Sequence, residues 1–175
     1  MSAPSIIVRP CFQQDLEAVQ LIYAHHVLTG AGTFETEPPD LEEITARWSD
    51  VVSANAPYLV ASPTRDLTRV LGFAYAKQFR PRAAYARTFE NSIYVAPTSQ
   101  RQGVGKLLMA HLLNTLKEDG VREVIAVIGD SANAGSIALH KSAGFTTIGV
   151  MTNVGYKFDR WLDVVIMQRS LRASA

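Results

Sequence analysis

The chain has 175 residues, 47% of them apolar, with 17 basic and 16 acidic side chains and a formal charge of +1. That length suits one domain with a substantial core. So balanced a charge excludes broad electrostatic capture of nucleic acid or an anionic membrane, and the single Cys11 excludes an intrachain disulfide and a cysteine-based metal site.

The N-terminus lacks the basic start and apolar run of a signal peptide, and no apolar stretch approaches the ~18 residues of a membrane helix. A cytoplasmic protein is expected, with a single domain over residues 1–171 and a frayed tail at 172–175. Residues 6–10 read as a first strand. Asp15 is expected to cap a helix whose apolar positions Leu16, Val19, Ile22, Tyr23 and Val27 recur at three and four. His25 and His26 on this helix are expected as core and surface residues. Gly30 and Gly32 end it, and residues 33–39 form a loop with two prolines. Asp40 followed by Glu43 resembles a capping box for a second helix carrying Leu41, Ile44, Trp48 and Val51.

Residues 58–62 and 70–78 are rich in β-formers and read as a hairpin around the turn 63–66. Residues 79–87 form an irregular basic connection holding Arg80, Arg82 and Arg87. The strand 88–95 follows, with Glu90, Ser92 and Tyr94 on one face and Asn91, Ile93 and Val95 on the other. From Val104 the period becomes helical up to a glycine stop at Gly120. Residues 123–128 read as a strand buried on both faces. Asn133 caps a short helix running to Ser142, ended by Gly144, and strands 145–151 and 161–169 close the chain. Trp48 and Trp161 are expected as core anchors. The order β-α-α-β-β-β-α-β-α-β-β predicts a mixed α/β (α+β) domain around one sheet.

The segment Gln100-Arg101-Gln102-Gly103-Val104-Gly105 lies between a strand and an amphipathic helix. Glycines there let backbone approach a ligand, and free N–H groups at the positive end of a helix dipole favour phosphate oxygens; Arg101 and Lys106 add charge. A purely steric reason for two glycines in such a turn stands beside that reading. A P-loop is excluded because Lys106 is followed by Leu107, and a dinucleotide fingerprint because Leu108 stands where its third glycine is needed.

Gln100-x-x-Gly103-x-Gly105 resembles the pyrophosphate-binding motif of the GNAT superfamily of N-acetyltransferases, and residues 133–145 (NAGSIALHKSAGF) resemble its second conserved segment. TFENSIYV at 88–95, VGYKF at 154–158, RWLD at 160–163 and TFETEP at 33–38 are similar to the phosphinothricin and methionine sulfone or sulfoximine acetyltransferase branch. The resemblance implies a GNAT fold, with a mixed, mostly antiparallel sheet of about seven strands and about four helices. It implies acetyl-CoA as acetyl donor, no metal, a small amino-acid-like acceptor and a homodimer. Two further readings remain: a protein or peptide Nα-acetyltransferase, and a CoA-binding regulatory module without turnover.

Residue by residue, the resemblance implies that Ile93, Tyr94 and Val95 pair with the pantetheine arm, and that Arg101, Gln102, Gly103, Val104, Gly105 and Lys106 receive the pyrophosphate. Asn133 and Ser136 would contact the rest of the cofactor, with a helix-capping role for Asn133 beside that. Many members carry Tyr where this chain has His140, and that Tyr is often assigned as the acid for the thiolate. His140 is read as structural or as that acid, and Tyr156 as a weaker donor. Glu90 matches the position of the general base; partial burial at the start of an apolar strand would raise its pKa toward the working range. Pairing with Arg87 is the alternative. Arg80 and Arg82 are expected to clamp the acceptor carboxylate or to be solvated loop residues. Ala83, Ala84, Tyr85, Asn91 and Ser92 would lie beside the acceptor, with Phe34 and Glu35 as another wall. Small residues at 83 and 84 depart from relatives with bulky or acidic ones, which bears on side-chain specificity.

Overall fold

A computed structural model describes residues 5–172. Seven strands form one sheet in the order β1-β2-β3-β4-β5-β7-β6. They are β1 (Ile6–Pro10), β2 (Tyr58–Pro63), β3 (Gly72–Gln78), β4 (Thr88–Val95), β5 (Glu123–Gly129), β6 (Thr146–Lys157) and β7 (Arg160–Ser170). Helices α1 (Leu16–Thr29) and α2 (Leu41–Ser53) follow β1, α3 (Val104–Glu118) follows β4, and α4 (Ala134–Ser142) follows β5. All neighbours pair antiparallel except β4 and β5.

Two apolar clusters show a helical layer on each face. Leu108, Met109, Leu112 and Leu116 of α3 pack on Ala74, Ala126 and Met167. Leu16, Val19, Tyr23 and Val27 of α1 with Ile44 of α2 pack on Val60 and Phe73. The alternation of each strand therefore decides which helical layer a side chain meets. Helix α2 starts as the sequence predicts, with Asp40 Oδ1 accepting from the Glu43 N–H at 2.8 Å. Gly120 and Gly144, with φ of +78° and +83°, take the left-handed conformation that ends α3 and α4.

Several expectations change. Asp15 does not cap α1 with its side chain. Its carboxylate is taken by Arg9 and by the Phe12 N–H, and a 3₁₀ turn over Gln13–Asp15 leads into the helix. Trp161 is 61% exposed and is no core anchor. β5 pairs with β7 only from Val164 onward, so Trp161 reaches past the layered sheet and packs edge-on to Tyr156. β6 runs on to Lys157 because register shifts between Thr147 and Gly149 and between Met151 and Gly155 absorb its irregular stretch. Val127 is exposed, so β5 is not buried on both faces along its whole length. Of the tail expected to fray, Arg172 ion-pairs with Glu123, and 173–175 lie outside the described residues.

Candidate active site

The parallel ladder between β4 and β5 runs only from Thr88–Glu123 to Glu90–Ile125. Beyond Glu90 the two strands separate. Ala96 N bonds Leu71 O and Phe79 N bonds Thr88 O, which sets the alternation of the β3–β4 ladder. Residues 90, 92 and 94 thus exchange backbone bonds with β3, while the N–H and C=O groups of Ile93 and Val95 face the gap left by β5. Val95 O accepts from His26 Nε2 at 2.9 Å. The Ile93 groups and the Val95 N–H remain as strand-like donors and acceptors without a strand partner. Tyr94, by contrast, spends its backbone on Phe73 and meets the gap through its side chain.

A cavity of about 1100 Å³ opens from this gap. It is walled by β4, by the Gln100–Lys106 turn and by α4, with Val127 and Ile128 of β5 across from β4. Gly103, at φ +83°, bends the chain into α3. No side chain caps this helix, and its first N–H paired within it is that of Leu107, to Gly103 O. The amides of Val104, Gly105 and Lys106 are left to other acceptors. Arg101 and Lys106 are exposed beside them, while the Gln102 side chain is tied to Thr98 O. A Cβ at 105 would meet Leu139 and Val95 at ordinary contact distance, since α3 starts close to α4.

Across the cavity, Asn133 Oδ1 caps α4 by accepting from the Ser136 N–H at 3.2 Å. Asn91 is buried and donates through Nδ2 to His140 Nε2 at 2.9 Å. Sequence reasoning did not give this wall Asp130, which accepts from Ala132 N and Arg160, or His26. His26 is half-buried at the cavity and is neither core nor free surface; burial and its neighbour His25 hold its pKa below the usual value against the bond to Val95 O.

A second cavity of about 560 Å³ lies on the α1–α2 side. It shares Gly32, Ser92, Tyr94 and Val127 with the first, so the two meet where β4 and β5 part. Glu90 lines this second cavity, half-buried, on the same face of β4 as Ser92 and Tyr94. Lys77 stands opposite it on β3, and no ion pair among the described residues engages Glu90. Phe34 and Glu35 are also walls. Glu35 Oε1 accepts from Tyr23 OH at 2.8 Å and from Arg47 Nη1 at 2.7 Å. Tyr75, Arg47 and Lys77 were not singled out from the sequence; only Arg47 left a trace there, as an i,i+4 partner of Glu43.

Arg80, Arg82, Ala83, Ala84 and Tyr85 lie in an exposed connection and line neither cavity. Arg80 stacks on Phe79, 4.2 Å from the ring centroid, and Tyr85 packs edge-on to the same ring. The described residues hold no group of three metal-ligating side chains and no helix long and apolar enough to cross a membrane.

Residues 8–166 match the acetyltransferase (GNAT) domain family. Over 166 residues the chain is 48% identical to the phosphinothricin N-acetyltransferase of Alcaligenes faecalis, covering 95% of this chain and 83% of that one. It is 34% identical to the L-methionine sulfoximine/L-methionine sulfone acetyltransferase of Pseudomonas aeruginosa, covering 95% of each chain. A GNAT superfamily phosphinothricin acetyltransferase from Sinorhizobium meliloti, solved in complex with AcCoA, superposes with a TM-score of 0.90 at 39% identity, over 94% of this chain and 88% of that one. A split sheet, an uncapped glycine turn and these relatives agree: the chain belongs to the GNAT acetyltransferase family.

Proposed function

We propose that this protein moves the acetyl group of acetyl-CoA onto the α-amino group of a small amino acid such as methionine sulfone, methionine sulfoximine or phosphinothricin. The observation that carries this reading is the meeting of the two cavities at Ser92 and Tyr94, one strand position pair from Glu90. Along a strand that spacing is about 7 Å on one face, so a carboxylate stands at the acceptor side of the junction.

The free N–H and C=O of Ile93 and the Val95 N–H extend the sheet to the amides of a pantetheine arm. The uncapped amides of Val104, Gly105 and Lys106, at the turn of Gly103, receive the pyrophosphate, with Arg101 and Lys106 adding charge and Gln102 bracing the turn. Asn133 and Ser136 border the remainder of the cofactor, and Asn91 holds the wall beside them. Glu90 takes the proton of the incoming ammonium, so that the free amine attacks the thioester carbonyl; as the C–S bond breaks, CoA leaves as thiolate and is neutralised by the second proton that the nitrogen sheds on becoming an amide. Lys77, across the strand pair from Glu90, receives the acceptor carboxylate inside the cavity. Arg80 and Arg82, with Ala83, Ala84 and Tyr85, form an outer rim to it.

The working unit is a single domain over residues 1–171, in the cytoplasm where acetyl-CoA is made and spent. Ile148, Val150, Met151 and Val154 are all exposed on β6, and Tyr156 and Trp161 extend the patch. A second copy of this chain is the proposed cover for this outermost strand, giving a homodimer.

The test is purified protein with acetyl-CoA and a panel of amino acids, read by free thiol. Release of CoA with methionine sulfone, methionine sulfoximine or phosphinothricin is expected. Turnover only with peptides, or cofactor binding without turnover, would overthrow the proposal.

A further inference from the structure

The acceptor cavity has a second carboxylate that the transfer step leaves unused. Glu35 Oε1 is held from two sides, by Tyr23 OH and by Arg47 Nη1. Burial, together with the neighbouring carboxylate, pushes the Tyr23 hydroxyl up to about 12 against its bond from Thr33, so it stays a donor. Arg47 is shared in turn, its Nε donating to Glu43 Oε1 at 2.8 Å. Glu35, Arg47 and Glu43 together therefore carry one excess negative charge. Glu35 Oε2 accepts no hydrogen bond among the described residues. The cavity is lined by Glu35, Asp50 and Glu90 and by Arg47 and Lys77; the buried Lys157 ammonium, held by Gly30 O and Thr33 O, also acts on Glu35, and with Glu43 the whole set still carries one excess negative charge.

A carboxylate anchored in this way cannot swing aside from an incoming anion, and a partly enclosed cavity screens the repulsion less than open water does. A sulfone brings no charge, and a sulfoximine N–H can donate to the free Oε2. A phosphinate brings a negative charge at neutral pH. We propose that Glu35 is a specificity-determining residue of this cavity, admitting acceptors with a neutral polar side chain and disfavouring those with an anionic one. The inference rests on the acetyl-transfer reading above.

The test is kcat/KM for methionine sulfone, methionine sulfoximine and phosphinothricin with the native protein, Glu35→Gln and Glu35→Asp. The native protein should favour the two neutral acceptors by ~10-fold or more, and Glu35→Gln should raise kcat/KM for phosphinothricin ~10-fold and raise its ratio to that for methionine sulfone in the same direction. Glu35→Asp, which keeps the charge, should leave phosphinothricin poor. An unchanged phosphinothricin rate in Glu35→Gln overturns the inference. So does a proportional change for all three acceptors, or an aspartate variant that behaves like the glutamine one. Turnover of none of the three by the native protein brings down the acetyl-transfer reading as well, whereas turnover with unaltered preference brings down only this one.

Discussion

Asn91 and His140 meet 2.9 Å apart at the wall of the larger cavity, and their bond fixes what the imidazole can do. His140 Nδ1 lies 2.8 Å from Ser136 O, which can only accept, so the ring proton sits on Nδ1 and Nε2 accepts from Asn91. The neutral ring has no second proton to offer a departing thiolate. That favours the structural reading of His140 over the acid.

Burial holds the His140 pKa below its usual value, against the bond to Ser136 O, and His26 is lowered in the same direction. A histidine depressed on folding binds its proton more readily in the unfolded chain. Stability is therefore full above the unfolded value of about 6.5 and is lost as pH falls below it, by at most about 1.4 kcal/mol per pH unit for each ring. Urea unfolding at steps between pH 7 and 5 should show that decline, and His140→Gln should shed one ring's share of the slope. An identical slope in the variant would mean that His140 takes up its proton equally in both states.

Glu90→Gln should lower turnover ~10²-fold or more at neutral pH if this carboxylate takes the ammonium proton. Since Glu90 lines the smaller cavity and not the larger one, proposed for the cofactor, the dissociation constant for acetyl-CoA should stay as it is. Raising the pH should narrow the deficit, because more of the amine then arrives deprotonated. A variant as fast as the native protein at pH 7 removes Glu90 from the chemistry.

Much of this site is legible in the sequence because local rules govern it. Alternation along residues 88–95 puts Glu90, Ser92 and Tyr94 on one face and Asn91 on the other, as the structure has them, but Asn91, expected beside the acceptor with Ser92, lines only the larger cavity, bonded to His140. The glycine turn and the Asn133 cap are likewise set within a few residues. The separation of β4 from β5 is not local, since it depends on where the ladder stops, and nothing in residues 123–128 marks Val127 as exposed. Lys77 enters the cavity only through its register with Glu90, and Tyr23, Glu35 and Arg47 converge from three separate segments. Trp161 misled for the same reason: an aromatic in a strand pattern reads as core until the neighbouring strand is found to end.

Asp15 offers a stability test away from the site. Burial opposes its charge, but the Arg9 guanidinium at 2.7 and 2.8 Å and the Phe12 N–H outweigh that and hold its pKa below the ordinary carboxylate range. A depressed carboxylate adds stability that is present above the unfolded value near 3.9 and is lost as pH falls through the folded one. Asp15→Asn leaves Arg9 half of its partner and should cost ~1.5 kcal/mol at pH 7, the lower end for a hydrogen bond to a charged group. The gap from the native protein should close below about pH 4, as the native carboxyl itself protonates. A gap that stays constant down to pH 2 would show that the charge is not what Asp15 contributes.

Phe34 links the sheet to the smaller cavity through two glycines. Its ring lies over Gly129 and Gly155, where an added Cβ would overlap it at either position, and the same residue is a wall of the smaller cavity. At Gly129 the Cβ would also strike the Ala31 carbonyl, whereas at Gly155 the three nearest obstacles are all Phe34 atoms. Gly155→Ala therefore displaces one ring and little else. Overpacking of this kind costs ~1–3 kcal/mol, visible as a lower melting temperature. Because the displaced ring borders the smaller cavity, proposed for the acceptor, and not the larger one, KM should rise for the amino acid and stay level for acetyl-CoA. Gly149→Ala on the same strand is the control, since a Cβ there meets nothing within 4 Å. Equal behaviour of the two variants would mean that β6 shifts to accommodate the methyl group and that Phe34 is not held in place by Gly155.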